Sequence, residues 1–217
     1  MMESAPIPSV KAIDLFPDSI VTEWTIAGKE ISFEKGALIS THRISTEIAL
    51  IIKSGIANAY QLHVDGKECI LGLVSPGEFT DVFNIFDSKE SDVLCRALTD
   101  VTVTAVPKKR IKEAVKQNTN LATELLGYFS KQYKDVINIL SHVAYGKVEE
   151  RLIFLMEKLA DPYSADSNWQ PIPSVITHKD IAGMIASTRE TVTALIGKLI
   201  NSGILRQHEN RLWIRVK

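Results

Sequence analysis

The chain has 217 residues, 45% of them apolar, 24% charged and 7% aromatic, and a formal net charge of −1 at pH 7. That composition fits one large or two small globular domains and excludes collagen-like, mucin-like and broadly disordered chains. No apolar run approaches the roughly 18–20 residues of a membrane span, and Met1-Met2-Glu3-Ser4-Ala5-Pro6 lacks the flank and apolar stretch of a signal peptide, so the expected location is cytoplasmic.

From about Ile20 to Val106 short apolar stretches are broken by turn residues at intervals of about ten, among them Lys35-Gly36, Ser54-Gly55, Asp65-Gly66 and Pro76-Gly77. The runs between them, such as Ile48-Ala49-Leu50-Ile51-Ile52 and Val101-Thr102-Val103-Thr104-Ala105-Val106, are rich in β-branched residues. This texture predicts an all-β barrel or roll. Asp65-Gly66 is the strongest hairpin signal, because a two-residue type I′ turn needs positive φ at both positions. Cys69 and Cys95 both fall in apolar strand contexts, so buried structural thiols are expected, with a redox switch as the alternative if they lie close. Two cysteines make neither a disulfide framework nor a four-thiolate metal site.

After Pro107 the period changes. Lys108 to Lys116 reads as a short helix, with Pro107 suited to its first turn. Asn118 or Thr119 then caps a helix that runs to about Tyr145. It carries two apolar stripes. One, through Ala122, Leu125, Phe129, Gln132, Val136, Ile139 and Val143, has the alternating three- and four-residue spacing of a coiled-coil seam. The other, through Leu126, Tyr133, Ile137, Leu140 and Ala144, lies on the adjoining face. A helix apolar on two faces needs two partners: the β-domain and a second copy of the chain. The seam residues Leu125, Phe129, Gln132, Val136, Ile139 and Val143 are assigned to a homodimer interface; a fully buried helix in a monomer is the alternative. Gly146 breaks the pattern as a hinge, Lys147 to Leu159 is a further amphipathic helix, and Asp161 to Asn168 is a surface loop.

The segment Thr177 to Leu199 holds two predicted capping boxes ten residues apart, Thr177 with Asp180 and Ser187 with Glu190. Two helix starts this close require a short first helix and a tight turn: a helix-turn-helix. Its second helix opens on Ser187-Thr188-Arg189-Glu190-Thr191-Val192-Thr193. Arg can donate two hydrogen bonds to guanine, Glu can accept from cytosine, and short hydroxyls with a helix N-terminus can hold phosphates. Asn201-Ser202-Gly203 ends that helix, and two strands around His208-Glu209-Asn210 complete a winged helix. Charge follows the same division. Residues 174–217 carry seven basic and three acidic side chains, net +4, while residues 1–173 carry 18 basic and 23 acidic, net −5. Such asymmetry marks a nucleic-acid-binding module beside something else.

Lys35-Gly36-x-Leu38-Ile39, Ile52-Lys53-Ser54-Gly55, Asp65-Gly66-Lys67-Glu68-x-Ile70-Leu71-Gly72 and Pro76-Gly77-Glu78-Phe79, followed by the long helix and Ser187-Thr188-Arg189-Glu190-Thr191-Val192, together resemble the Crp/Fnr family of bacterial transcription regulators. The resemblance covers nearly everything after about Ile20. It implies an α+β chain: an N-terminal antiparallel β-roll of jelly-roll type (1–117), a long dimerisation helix (118–145) and a C-terminal winged helix-turn-helix (146–217). It further implies a homodimer on double-stranded DNA with a pseudo-palindromic operator, and RNA polymerase as a protein partner. Arg189 and Glu190 fall where the family's base-reading Arg and Glu lie. The candidate DNA-contacting set is completed by Thr177, His178, Ser187, Thr188, Thr191, Thr193 and Lys198. Two departures stand out. Ala194 replaces an Arg common one turn later, and Ala186 stands where many members have Gly, a strain if that residue is left-handed.

In members that bind cyclic AMP, a Gly-Glu pair takes the ribose and an Arg-Ser pair the cyclic phosphate. The corresponding positions here are Asp81 and Val82, and Ser91 and Asp92. A phosphate site needs a cation and hydrogen-bond donors, so two acids argue against cyclic AMP. No cysteine precedes Cys69, which excludes the family's iron–sulfur branch. Asp81, Val82, Ser91 and Asp92, with Tyr133 and Ile137 of the long helix, are the candidate effector pocket; the effector is not identified, and no cofactor is predicted. Haem held by His63 or His142 is a weaker alternative. A competing reading, a metal-dependent β-barrel enzyme with an appended helical domain, lacks support: His42 and His63 stand alone without His-x-His spacing, and there is no nucleophile elbow or phosphate-cradling loop.

Overall fold

A computed structural model describes residues 11–39, 47–81, 83–86, 92–161, 164, 166 and 168–216, with the side chains of residues 83, 131, 132, 135, 138, 143 and 144 outside the description. The chain divides into two compact units. Among the described residues one holds 11–62 and 71–134, and the other holds 63–70 and 135–216.

The first unit is an antiparallel roll. Strands β1 (Lys29–Phe33), β2 (Ile48–Ser54) and β6 (Val101–Pro107) form one sheet in the order β1-β6-β2. Strands β3 (Ala57–Leu62), β4 (Glu68–Val74) and β5 (Leu94–Ala97) form a second, in the order β4-β3-β5. β2 is buried on both faces: Leu50 and Ile52 enter the roll with Val74, Cys95, Val101 and Val103, while Ala49 and Ile51 join a second cluster outside it. That is why Ile48–Ile52 reads as a continuous apolar run without alternation. After the short α3 (Phe83–Phe86), the Lys108–Lys116 expectation holds as α4 (Lys108–Gln117), with Pro107 as its N-cap.

The second cluster is built by elements that the sequence pattern did not announce. α1 (Ala12–Leu15) and α2 (Asp18–Ala27) supply Leu15, Phe16, Val21 and Trp24, and Phe16 meets Trp24 edge to face at 4.8 Å. The β-branched Ile20, Val21, Thr22, Thr25 and Ile26 favour a strand locally. Burial of Val21 and Trp24 three residues apart on one helical face overrides that preference.

The long helix is α5, Thr119–Tyr145, and Asn118 caps it: its Oδ1 accepts from the Leu121 amide at 3.2 Å. Its rotation corrects the assignment of its faces. Leu125 is buried in the outer cluster of the roll, and Phe129 packs against that cluster, edge to face with Phe86 at 6.5 Å. Leu125 therefore faces the roll and has almost no surface left for a dimer seam, while Phe129 is half-buried against the roll. Leu126, Tyr133 and Leu140 are exposed by 69%, 68% and 63%, and Ile137 by 45%. Val136 is exposed and Ile139 half-buried, while the side chains of Gln132 and Val143 lie outside the description.

The second unit is a winged helix. α6 (Val148–Leu159) buries Leu152, Leu155, Met156 and Leu159. Ile181, Ile185, Val192, Ile196, Leu199, Leu205 and Ile214 of the following elements are buried as well. The helix-turn-helix is α7 (His178–Met184) and α8 (Arg189–Asn201), and the wing is β8 (Leu205–His208) with β9 (Arg211–Arg215). Glu209 and Asn210 both have positive φ, as a two-residue hairpin turn demands. A third strand, β7 (Trp169–Pro171), pairs with β9 and was not foreseen.

Candidate nucleic-acid interface

α7 starts on a complete capping box. Thr177 accepts from the Asp180 amide at 3.2 Å, while Asp180 Oδ2 accepts from the Thr177 amide at 2.8 Å. At α8 the structure moves the cap by one residue. Thr188, and not Ser187, accepts from the Thr191 amide at 3.2 Å, while the Ser187 amide is taken by the Ala182 carbonyl at 2.9 Å. The expected Ser187–Glu190 box does not form, so Glu190 has no capping task. The turn between the helices passes through Ala186 at φ +51°, the left-handed conformation that the Gly-to-Ala departure called into question.

Arg189 and Glu190 thus stand exposed on the first turn of α8, and no hydrogen bond or ion pair of either side chain is found among the described residues. The other predicted contacts are more committed. The Thr193 hydroxyl donates to the Arg189 carbonyl at 2.8 Å, so the His178 Nδ1 that meets it at 2.9 Å acts as donor and ties the start of α7 to α8. Thr191 shares its hydroxyl with Thr188 at 2.9 Å. Lys198 points to α6, where Glu149 Oε2 lies at 2.5 Å. Ala194 is exposed on α8, a short side chain one turn after Glu190.

The basic charge of this segment is similarly sorted. Arg206 is sandwiched between Trp169 (4.8 Å) and Trp213 (4.9 Å) and donates to Asp166 at 2.8 Å. Arg211 donates through Nε to the Ile172 carbonyl at 3.0 Å. Lys179 faces Glu68 at 3.9 Å. Arg189 and Arg215 are exposed with no acidic partner among the described residues. The sequence could not show this, because the partners Glu149, Asp166 and Glu68 are 49, 40 and 111 positions away from their cations.

In the roll, Asp81 is half-buried; its Oδ1 accepts from the Asn84 amide at 3.2 Å, and its Oδ2 is enclosed without a hydrogen-bond partner among the described residues. Burial, with the Asp81 charge adding to it, pushes the Cys95 thiol up to about 12. Nearby Lys108, only 5% exposed, donates to Asn84 Oδ1 at 3.1 Å, and burial lowers its pKa although Asp81 pulls the other way. Asp92 is exposed, Val82 and Ser91 lie outside the described residues, and Tyr133 and Ile137 sit on the exposed stripe of α5. The two thiols are free. Cys95 is buried as expected, but Cys69, near the start of β4 where the strand is still open to solvent, is exposed. Among the described residues no group of three or more His, Cys, Asp or Glu could hold a metal, and no helix is long and apolar enough to cross a membrane.

Comparison with known proteins agrees with this architecture. A family model described as a cyclic nucleotide-binding domain matches residues 30–118, and one described as a Crp-like helix-turn-helix domain matches residues 150–217. The Global nitrogen regulator of Synechococcus elongatus is 24% identical over 185 residues, 84% of this chain and 83% of that protein. The Anaerobic regulatory protein of Bacillus subtilis is 24% identical over 183 residues, 82% of this chain and 75% of the relative. Among solved structures, FixK2 from Bradyrhizobium japonicum superposes with a TM-score of 0.72 at 19% identity, over 88% of this chain and 93% of that one. The two units are thus those of a regulator with a ligand-type roll and a DNA-binding winged helix. The chain belongs to the Crp/Fnr family of transcription regulators. The competing reading as a metal-dependent barrel enzyme is thereby set aside.

Proposed function

We propose that the chain works as a homodimer that reads a pseudo-palindromic duplex through Arg189 and Glu190, and that the signal it answers is not cyclic AMP. The observation that carries the reading is the start of α8. Thr188 takes over the capping role, which leaves an exposed Arg and an exposed Glu side by side at a helix N-terminus, one donor fork and one acceptor for major-groove edges. Ser187, Thr188 and the free amides of the first turn are placed for phosphate. Dimerisation is supported by the apolar face of α5 through Leu126, Tyr133, Ile137 and Leu140, which is exposed in the single chain. Two recognition helices then engage successive major grooves when they stand about 34 Å apart. An effector biases this arrangement as a two-state equilibrium, and RNA polymerase is the further protein partner.

Against cyclic AMP stand two acids, Asp81 at the position of the ribose pair and Asp92 at that of the phosphate pair, where a phosphate needs a cation and donors. The test is selection of duplexes from a random pool by the full chain, followed by footprinting with and without cyclic AMP or cell-extract metabolites. An inverted repeat whose occupancy is indifferent to cyclic AMP is the expected result. A half-site without symmetry contradicts the dimer, and cyclic AMP-dependent protection contradicts the effector reading.

A further inference from the structure

We infer that the tip of the β3–β4 hairpin, His63–Ile70, is an autoinhibitory contact on the helix-turn-helix, which must leave before α8 can enter a major groove. The inference rests on the reading of α8 as the recognition helix. The tip belongs to the same compact unit as α6 to α8 and the wing. Ile70 is buried although His63 to Lys67 are exposed. Its seat is Gly183 of α7, where a Cβ would fall 2.8 Å from Ile70 Cγ1 and 3.1 Å from the Glu68 carbonyl oxygen. α7 therefore carries glycine in its interior, where alanine is the better helix former, at the place the tip occupies.

Charge points the same way. The Glu68 carboxylate lies 3.9 Å from Lys179 Nζ, so an acid of the chain itself faces a cation that would otherwise be available to a phosphate. The space left between tip and helices is a cleft of about 640 Å³, and its walls include Ser187, Thr188 and Arg189. That is the size of a small-molecule site. A helix seated in the major groove is flanked by two phosphate strands across a groove about 12 Å wide, and on this inference the tip occupies space beside α8 that those strands need.

The experiment compares the full chain with Gly183→Ala and with Glu68→Gln on the pool-selected duplex at fixed salt. Gly183→Ala favours α7 itself while its Cβ displaces Ile70, so a gain in affinity is not a folding artefact. Both variants should bind more tightly, Gly183→Ala by about tenfold or more, the inverse of the fraction of wild-type chains already open. Adding Arg189→Ala should remove the gain. In the wild-type chain, amide exchange of residues 68–70 should speed up when duplex is added. Unchanged or weaker binding by both variants overturns the inference, as does slower exchange at 68–70, which would make the tip a DNA contact. Failure of every chain to bind any duplex specifically would instead overturn the reading of α8.

Discussion

The two thiols show how far a single side chain's surroundings decide its chemistry. Thiolate is the reactive form, and burial beside Asp81 pushes the Cys95 pKa up to about 12, so at neutral pH it is held as thiol. Cys69 is exposed one strand residue before the buried Ile70. Native alkylation followed by peptide mapping should therefore label Cys69 and spare Cys95 until the chain is unfolded; labelling of Cys95 in the native chain contradicts this. Ala186 is the second case. A left-handed non-glycine residue costs roughly 1–2 kcal/mol. Part of that gain is lost to the extra freedom glycine gives the unfolded chain, about 0.4–1 kcal/mol. Ala186→Gly should thus raise stability by about 0.5–1 kcal/mol in a urea titration, and destabilisation would mean the φ of +51° carries no strain.

At the level of elements, α5 teaches most about what periodicity can say. Its length was readable, because Asn118 is followed by 27 residues with no Pro, and its cap was readable to within Asn118 or Thr119. Which stripe faces inward was not readable, since both are apolar at helical spacing, and only the cluster made by α1, α2, β2 and β6 selects Leu121 and Leu125. The helix α2 was hidden for a related reason: its β-branched residues follow their tertiary partners, not their propensity. β7 is three residues long, too short to show an alternation. The corrected faces separate two substitutions. Leu125→Ala removes buried side chain from the core and should cost about 2–5 kcal/mol of stability. Leu140→Glu, on the exposed stripe, should leave monomer stability nearly unchanged but shift sedimentation from dimer to monomer. A dimer that survives Leu140→Glu and dissociates with Leu125→Ala would restore the original seam.

For the whole molecule, the net charge of −1 is a cancellation between an acidic stretch and a basic end. The structure narrows that basic end further. Lys179, Lys198 and Arg206 face acidic groups, which among the described residues of that end leaves Arg189 and Arg215 as exposed cations without such a partner. The order of roll, long helix and winged helix was legible because turn spacing, helical period and capping signals agree at every level. The hairpin contact at Gly183 was not, because it joins residues more than a hundred positions apart by shape alone. The central claim is that Arg189 reads bases at the start of α8, and equilibrium anisotropy titration of the pool-selected duplex at fixed salt tests it most directly. Arg189→Ala should weaken specific binding by about 1–3 kcal/mol while leaving binding to a scrambled duplex nearly unchanged. Equal affinity of wild type and Arg189→Ala for the selected duplex would contradict it.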